Sequence, residues 1–242
     1  IPISVQLYSV REAAAKDFPG VLRQIAAMGY AGVEYAGLHG MEPQAVRALT
    51  DELGMVASSN HGAMPNEQNA DEIVKLARTL GYTRHIAGFG PDKFETKEST
   101  LAAAAIAQKA AEALKGSGIT FGLHNHDWEF NHVFDGRTAH AIMMEAAPDV
   151  FAQLDTYWVQ VGGADPAAVI ADYGSRAPVL HIKDGPCDRA KAMTAIGDGV
   201  MDWARIMRAV PASTEWLIVE LDRCDTGMMA AVAKSYQYLT SH

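Results

Sequence analysis

The sequence has 242 residues, of which 49% are hydrophobic, and a formal net charge of −9 at pH 7. This length suits one large domain, and the apolar content is sufficient for a packed core. The 20 basic residues against 29 acidic ones argue against a nucleic-acid backbone as the main partner, because phosphate binding needs concentrated Lys and Arg. No apolar run approaches the roughly 20 residues that a membrane-spanning helix needs. Composition therefore favours a globular protein that acts on a small neutral or weakly charged molecule.

Two features bear on the cellular compartment. Cys187 and Cys224 are too few for a disulfide framework and lack zinc-finger spacing, so both are expected to be ordinary thiols. The sequence begins with Ile rather than Met, which leaves open whether an N-terminal segment was removed. We expect a cytoplasmic protein, and a periplasmic or secreted location is also compatible with the sequence.

Short β-rich segments alternate with helical ones along the whole chain, which is typical of repeated βα units around a parallel sheet. Eight segments are predicted to be strands: residues 3–7, 32–35, 55–59, 83–87, 119–124, 151–155, 179–183 and 216–220. Between them, apolar residues recur at helical spacing. Examples are Val21, Ile25 and Met28, and further along the chain Ala103, Ile106, Ala110 and Ala113.

A glycine stands at the end of several helical stretches, just before the next predicted strand. Gly29, Gly54, Gly81 and Gly118 occupy this position. Glycine adopts the left-handed conformation that ends a helix, so the repeat marks the same joint four times. We predict a single (β/α)8 TIM barrel over residues 1–242. An open doubly wound sheet is the alternative, but residues 7–11 after the first strand lack its glycine-rich phosphate turn.

Side chains able to bind a metal stand at the ends of four consecutive predicted strands, where barrel active sites lie. His124 ends the fifth strand, and the next three strands carry Asp155, His181 and Glu220. Mixed imidazole and carboxylate ligands suit Mn²⁺, Mg²⁺, Co²⁺ or Zn²⁺. One divalent metal held by the last three residues is the first hypothesis. Solvated loop charges and helix caps are the alternative.

Seven short segments form an ordered series over nearly the whole chain. They are Gln6-Leu7-Tyr8-Ser9-Val10-Arg11, Gly32-Val33-Glu34, His124-Asn125-His126, Leu154-Asp155-Thr156, His181-Ile182-Lys183-Asp184, Gly197-Asp198-Gly199 and Val219-Glu220. In this order they resemble the xylose isomerase-like barrels, also described as the sugar phosphate isomerase/epimerase or AP endonuclease-type barrel superfamily. The resemblance implies one divalent metal held by a Glu, an Asp, a His and a second Glu from strands five to eight.

Three of those ligand positions are matched by Asp155, His181 and Glu220. The first position departs from the pattern, because many relatives read Glu-Asn-His where this chain reads His-Asn-His from His124 onward. The resemblance thus implies that His124 replaces a carboxylate ligand. His126 and Glu129 are the other candidates for that position.

The resemblance also implies proton transfer next to a carbonyl of a keto-sugar or polyol derivative, as in an isomerase or epimerase. In such epimerases two metal-bound Glu residues act as opposed acid and base, and only Glu220 is in place here. Because a general base must lie within hydrogen-bond reach of its proton, we expect His126 to be the second group, with His124 or Glu129 as alternatives. A hydratase or lyase on the same site and a non-catalytic sugar-binding barrel are further hypotheses. Hydrolysis of damaged DNA, known among such barrels, is disfavoured by the acidic charge.

Further residues near strand ends are predicted to contact the substrate: Glu34, His61, Trp158, Lys183 and Arg223. For Glu34 a buried ion pair with Arg11 or Lys183 is the alternative. The basic residues are too few for a phosphate pocket, so we expect an unphosphorylated sugar. The remaining histidines considered are expected to be surface or core residues: His39, His85, His132 and His140. The expected partner is a small sugar, with neither nucleic acid nor membrane, and a homo-oligomer is compatible with the sequence.

Overall fold

Eight parallel strands close into a barrel in the computed structural model, which describes residues 1–241. In chain order the barrel strands are β1 (Ile3–Gln6), β2 (Gly32–Tyr35), β3 (Val56–His61), β4 (Arg84–Ala87), β5 (Thr120–His124), β6 (Phe151–Asp155), β7 (Val179–Ile182) and β8 (Trp216–Val219). Each strand pairs with its neighbours in the sequence, and β8 pairs with β1 to close the barrel. The predicted TIM barrel is confirmed. Its predicted extent includes His242, which lies outside the described residues.

Helices connect the strands and cover the outside of the barrel. They are α1 (Arg11–Met28), α2 (Pro43–Glu52), α3 (Ala70–Leu80), α4 (Lys97–Ala113), α5 (Trp128–Asn131), α6 (Ala139–Ala146), α7 (Thr156–Val161), α8 (Pro166–Tyr173), α9 (Trp203–Ala209) and α10 (Met228–Ser241). A two-stranded hairpin, Val133–Phe134 with Arg137–Thr138, lies between α5 and α6. Within residues 1–241 we find no helix with the length and apolar character needed to cross a bilayer.

The helix-to-strand joints contain the predicted left-handed glycines. Gly29 ends α1 with a φ of 103°, and Gly81 ends α3 with a φ of 87°. The other two predicted joint glycines also have positive φ. A side chain at these positions would be strained, because only glycine adopts this conformation without steric cost. The repeated joint therefore reflects a real backbone requirement.

Some predicted boundaries and one predicted helix face were wrong. β1 ends at Gln6 because its side chain accepts a hydrogen bond from Tyr8 N–H and starts a 3₁₀ turn over Leu7–Val10. β3 runs on to His61, because that residue pairs with Ile86 of β4. In α4, Ile106 is 45% exposed, and the buried stripe instead follows Ala103, Ala104, Ala107 and Ala110.

The inside of the barrel changes character towards the C-terminal ends of the strands. TIM-barrel interiors are usually filled by branched apolar side chains. Here a layer of polar side chains is almost completely buried, formed by Gln6, Glu34, Ser59, Gln153 and His181. Buried polar groups are retained only when they are hydrogen-bonded, so this layer is expected to be fully connected. It lies directly beneath the candidate site.

Candidate metal centre

Four potential metal ligands converge at the C-terminal ends of β5 to β8. Each of His124, Asp155, His181 and Glu220 offers one ligand atom, and these atoms all lie within 4.8 Å of one another. All four residues are buried. Strand pairing sets Asp155 beside His181 across β6 and β7. The barrel therefore brings together the four residues that the sequence named as candidate ligands.

The two carboxylate oxygens of Asp155 have different surroundings. Its Oδ1 atom accepts a 3.0 Å hydrogen bond from Trp158 N–H, which caps α7. Its Oδ2 atom is buried and accepts no hydrogen bond, although Lys183 Nζ lies 3.0 Å away outside hydrogen-bond alignment. Burial raises the pKa of the Asp155 carboxyl. An unsatisfied buried carboxylate oxygen is costly without a cation, so Oδ2 fits a metal ligand.

Glu220 and His181 are linked directly. His181 Nδ1 lies 2.6 Å from Glu220 Oε2, and Lys183 Nζ lies 2.8 Å from the same oxygen. Burial alone would raise the pKa of Glu220, but the Lys183 ammonium and His181 lower it well below its usual range. Burial lowers the pKa of His181, yet Glu34 and Glu220 outweigh it and raise the pKa to about 10. Glu220 is therefore held as a carboxylate.

His124 is held in the form that can bind a cation. Its Nε2 atom lies 3.9 Å from Asp155 Oδ2. Burial, followed by the neighbouring His181 and His126 rings, lowers the pKa of His124 well below its usual value. The imidazole is therefore neutral at neutral pH. Two imidazoles and two carboxylates are a donor set suited to Zn²⁺, Mn²⁺ or Co²⁺, and a divalent ion would bind the four residues by displacing the proton that His181 shares with Glu220.

A cavity of about 550 Å³ opens above these ligands at the mouth of the barrel. His61, His124, His126 and Glu220 lie in its wall. Three aromatic side chains also line it: Tyr8, Phe89 and Trp128. Aromatic faces and a few polar groups at a concave site are typical of a small-molecule pocket. The volume lies within the range of such pockets.

His126 stands in the cavity wall with one ring nitrogen unused. Its ring stacks on Trp128 at a centroid distance of 4.1 Å. Its Nδ1 atom is buried and has no hydrogen-bond partner among the described residues. Burial, followed by the Lys183 charge, lowers the pKa of His126 to about 3. The ring is therefore neutral, with its Nδ1 atom turned away from solvent.

Two candidates from the sequence lie behind the cavity wall. Glu129 is almost completely buried, and its Oε2 atom accepts a 2.9 Å hydrogen bond from His126 N–H. Burial raises the pKa of Glu129 well above its usual value. Glu34 is completely buried beneath the ligands, with its Oε1 atom 2.7 Å from His181 Nε2. Glu34 thus contacts a ligand residue from below, and its ion-pair partner is His181 rather than Arg11 or Lys183.

The other predicted substrate contacts occupy different surroundings. Lys183 is buried, and its Nζ atom lies within 3.0 Å of carboxylate oxygens of Asp155, Glu220 and Asp222. Trp158 is buried, with its ring centroid 6.3 Å from that of His126. Arg223 donates hydrogen bonds to the carbonyls of residues 189 and 191 on the β7–α9 loop. Of the five predicted contacts, only His61 lies in the cavity wall.

Sequence reasoning missed several residues that support the site. Asn125 Oδ1 accepts a 2.9 Å hydrogen bond from Asp155 N–H, which ties the ends of β5 and β6. Gln153 lies 3.2 Å from His124 Nδ1 through its Oε1 atom. A signal for Gln153 exists in the sequence, because it shares one face of a buried strand with Asp155 two residues later. Asn125 lies in the His124-Asn125-His126 segment, but nothing in the sequence predicts its contact with a residue 30 positions away.

Comparison with known proteins agrees with this architecture. The sequence profile of the xylose isomerase-like TIM barrel matches residues 22–241. The chain belongs to the xylose isomerase-like TIM barrel family. A search of curated proteins finds no significant match.

Solved structures show the same fold at low sequence identity. A sugar phosphate isomerase/epimerase from Parabacteroides distasonis ATCC 8503 has a TM-score of 0.86 and 23% identity, over 100% of this chain and 98% of the other. A probable 3-DHS dehydratase from Bacillus anthracis has a TM-score of 0.79 and 11% identity, over 99% of each chain. The IolI protein, solved with a zinc atom, has a TM-score of 0.75 and 12% identity, over 100% and 97%. At these identities the likeness concerns the fold of this xylose isomerase-like barrel.

Proposed function

We propose that this barrel is a divalent-metal-dependent enzyme that moves a proton next to a carbonyl of an unphosphorylated keto-sugar or polyol derivative. The observation that carries the proposal is the position of the four ligand atoms, which lie within 4.8 Å of one another beside a cavity of about 550 Å³. His124, Asp155, His181 and Glu220 would hold the metal. When bound, a divalent ion polarises a carbonyl or hydroxyl and makes the adjacent C–H easier to deprotonate.

Two side chains are placed to handle the proton. Glu220 lies in the cavity wall and is kept ionised by Lys183 and His181, so it can accept a proton. His126 lies in the same wall as a neutral imidazole. Proton transfer requires a group within hydrogen-bond reach of the reacting atom, and Glu220 and His126 both line the cavity that would hold that atom. We assign Glu220 and His126 as the acid/base pair. Glu129 would hold His126 in place by accepting a hydrogen bond from its backbone N–H.

The charges around the mouth favour an unphosphorylated substrate. The basic side chains near it are Arg11, Lys183, Arg189 and Arg223. Arg11 donates to backbone carbonyls of residues 8 and 222, Lys183 contacts three carboxylates, Arg189 pairs with Asp127, and Arg223 donates to two loop carbonyls. A phosphate would need free donors or a helix N-terminus. Each of these four cations already contacts oxygen atoms of the protein, and two of them contact carboxylates.

Elimination is the second candidate reaction on the same groups. Removal of the proton next to a carbonyl can be followed by return of a proton or by loss of a β-hydroxyl as water. His61 and His126 both line the cavity, and a neutral imidazole N–H could donate a hydrogen bond to a departing hydroxyl. The dehydratase among the structural relatives gives this route a precedent in the same fold. The products distinguish the two, because only elimination changes the substrate's mass.

Solvent exchange tests the proposal. The metal-loaded protein would be incubated in D₂O with a panel of ketopentoses and ketohexoses and with their phosphate esters, and followed by proton NMR and mass spectrometry. We expect deuterium next to the carbonyl of a free sugar, little exchange in the esters, and loss of exchange in Glu220→Gln. Equilibrium binding of a sugar without exchange or elimination would instead support a non-catalytic sugar-binding barrel. Preferred exchange in the esters would refute the unphosphorylated substrate.

A further inference from the structure

Glu34 is the centre of the buried polar layer beneath the ligands. Its Oε1 atom accepts hydrogen bonds from Gln6 Nε2 and from His181 Nε2, the latter at 2.7 Å. Its Oε2 atom accepts from Ser59 Oγ and from Gln153 Nε2, the latter at 2.6 Å. The carboxylate is completely buried and faces donors only. A carboxylate with four donors around it is held in one orientation and can accept but not donate.

The first consequence concerns His124, which Glu34 does not touch. Because Gln153 directs its NH₂ group to Glu34, its Oε1 atom is the one that faces His124 Nδ1, at 3.2 Å. An amide oxygen only accepts, so Nδ1 of the neutral His124 ring must carry the hydrogen. The lone pair is then on Nε2, the atom that lies 3.9 Å from Asp155 Oδ2. The Glu34–Gln153 contact therefore sets which nitrogen of His124 can bind a metal.

The second consequence concerns His181. Its Nε2 atom is taken by Glu34, and its Nδ1 atom faces Glu220 Oε2 at 2.6 Å. An imidazole that donates one N–H to a carboxylate presents its other nitrogen as the metal ligand. Contact with Glu34 thus makes Nδ1 of His181 the ligand atom. The two histidines use different nitrogens because the same carboxylate controls them by different routes.

We propose that Glu34 is a positioning residue that selects the ligating nitrogen of both histidines, directly at His181 and through Gln153 at His124. The proposal rests on the metal site described under the proposed function. In Glu34→Gln an NH₂ group replaces one of the two carboxylate oxygens. This NH₂ group then faces either the Nε2 donor of Gln153 or the Nε2 donor of His181, and two donors that face each other repel. Loss of such a supporting contact typically weakens metal binding about 10- to 100-fold.

The test is the histidine tautomer, read from long-range ¹H–¹⁵N spectra of ¹⁵N-histidine-labelled full-length protein with and without Zn²⁺. We expect metal-free wild type to show His124 protonated at Nδ1, and the zinc form to show His181 bound through Nδ1. In Glu34→Gln, His124 should populate both tautomers or only the Nε2-protonated one. Its Zn²⁺ affinity, measured by chelator competition, should fall about 10- to 100-fold. The matched control is Glu215→Gln, the same change at an Arg84 ion pair outside the site. Glu215→Gln should change neither the His124 tautomer nor the Zn²⁺ affinity.

A second variant separates the two routes and serves if Glu34→Gln does not fold. Gln153→Met breaks the route to His124 but leaves the contact between Glu34 and His181. We expect the His124 tautomer to change while His181 still binds Zn²⁺ through Nδ1. A His124 ring that stays Nδ1-protonated in both variants, or zinc affinity within about twofold of wild type in Glu34→Gln, would overturn the proposal. If wild type binds none of Zn²⁺, Mn²⁺ and Co²⁺, the proposed function fails, and the metal-free His124 tautomer still decides whether the Gln153 route exists.

Discussion

Lys183 Nζ lies 3.0 Å from Asp155 Oδ2, the carboxylate oxygen that has no hydrogen bond and faces the candidate metal position. The same ammonium contacts Glu220. A buried lysine therefore shares two carboxylates with the proposed metal. Its positive charge stabilises these carboxylates before a metal binds, and it opposes a second cation beside them.

Lys183→Met is expected to separate these two effects. Without a metal, the variant should lose about 3–5 kcal/mol of stability, because two carboxylates lose their buried partner. At pH 8 its Zn²⁺ affinity should increase by about tenfold, since a nearby positive charge has been removed. Chemical unfolding and chelator competition measure the two quantities. Lys191→Met, at an exposed position, is the control. Weaker zinc binding in Lys183→Met at pH 8 would show that the ammonium does not oppose the metal.

The role of His124 as a metal ligand can be tested by introducing the glutamate that many relatives carry at this position. We expect His124→Glu to keep Zn²⁺ or Mn²⁺ affinity within about tenfold of wild type, because carboxylate and imidazole both bind these ions. His124→Ala removes the ligand and should weaken binding by about 100-fold. Isothermal titration with both metals gives the comparison. Equal affinity in the alanine variant and wild type would place the fourth ligand elsewhere.

Glu129 should behave as a support rather than as an acid or base. Its Oε2 atom accepts the His126 N–H, and the amide oxygen of Glu129→Gln can accept the same bond. Solvent-exchange activity of this variant should stay within about threefold of wild type. Glu129→Ala should be destabilised by about 1–3 kcal/mol, since it leaves a buried N–H unsatisfied. A loss of exchange of about 100-fold or more in Glu129→Gln, at unchanged stability, would instead make Glu129 a proton-transfer group.

His140 predicts a pH dependence of stability that is unrelated to the metal. Its ring is buried beside Phe130, Nδ1 lies 2.7 Å from Tyr173 Oη, and burial lowers its pKa from 6.5 to about 3. The folded state disfavours the charged ring. The contribution of His140 to the free energy of unfolding is therefore complete above pH 6.5 and is lost as the pH falls towards 3. The loss should be about 1.4 kcal/mol per pH unit in this window.

Urea unfolding of wild type and His140→Gln at pH 7.5, 6 and 5 measures this contribution. The stability difference between the two proteins should shrink as the pH falls, because glutamine has no proton to gain. Parallel pH curves would mean that His140 is protonated equally in the folded and unfolded states.

The sequence predicted the barrel well because its evidence is local. β6 has the predicted bounds, since an uninterrupted run of residues that all become buried ends at the polar cap of α7. The ligand candidates could be named for a similar reason, because each stands at a strand end. What could not be predicted is the contact between Glu34 and His181, which are 147 positions apart and meet only when β2 and β7 face each other across the closed barrel. The sequence leaves Glu34 open between a substrate contact and a buried ion pair, because its burial depends on that closure.

Metal content per chain tests most directly whether His124, Asp155, His181 and Glu220 hold one divalent metal. Protein purified without chelator would be compared with Asp155→Asn and with Asp165→Asn, which also changes a helix-capping aspartate but lies outside the site. We predict about one bound divalent ion in wild type and Asp165→Asn, and less than about a tenth of that in Asp155→Asn. Metal content in Asp155→Asn equal to that of wild type would contradict the account.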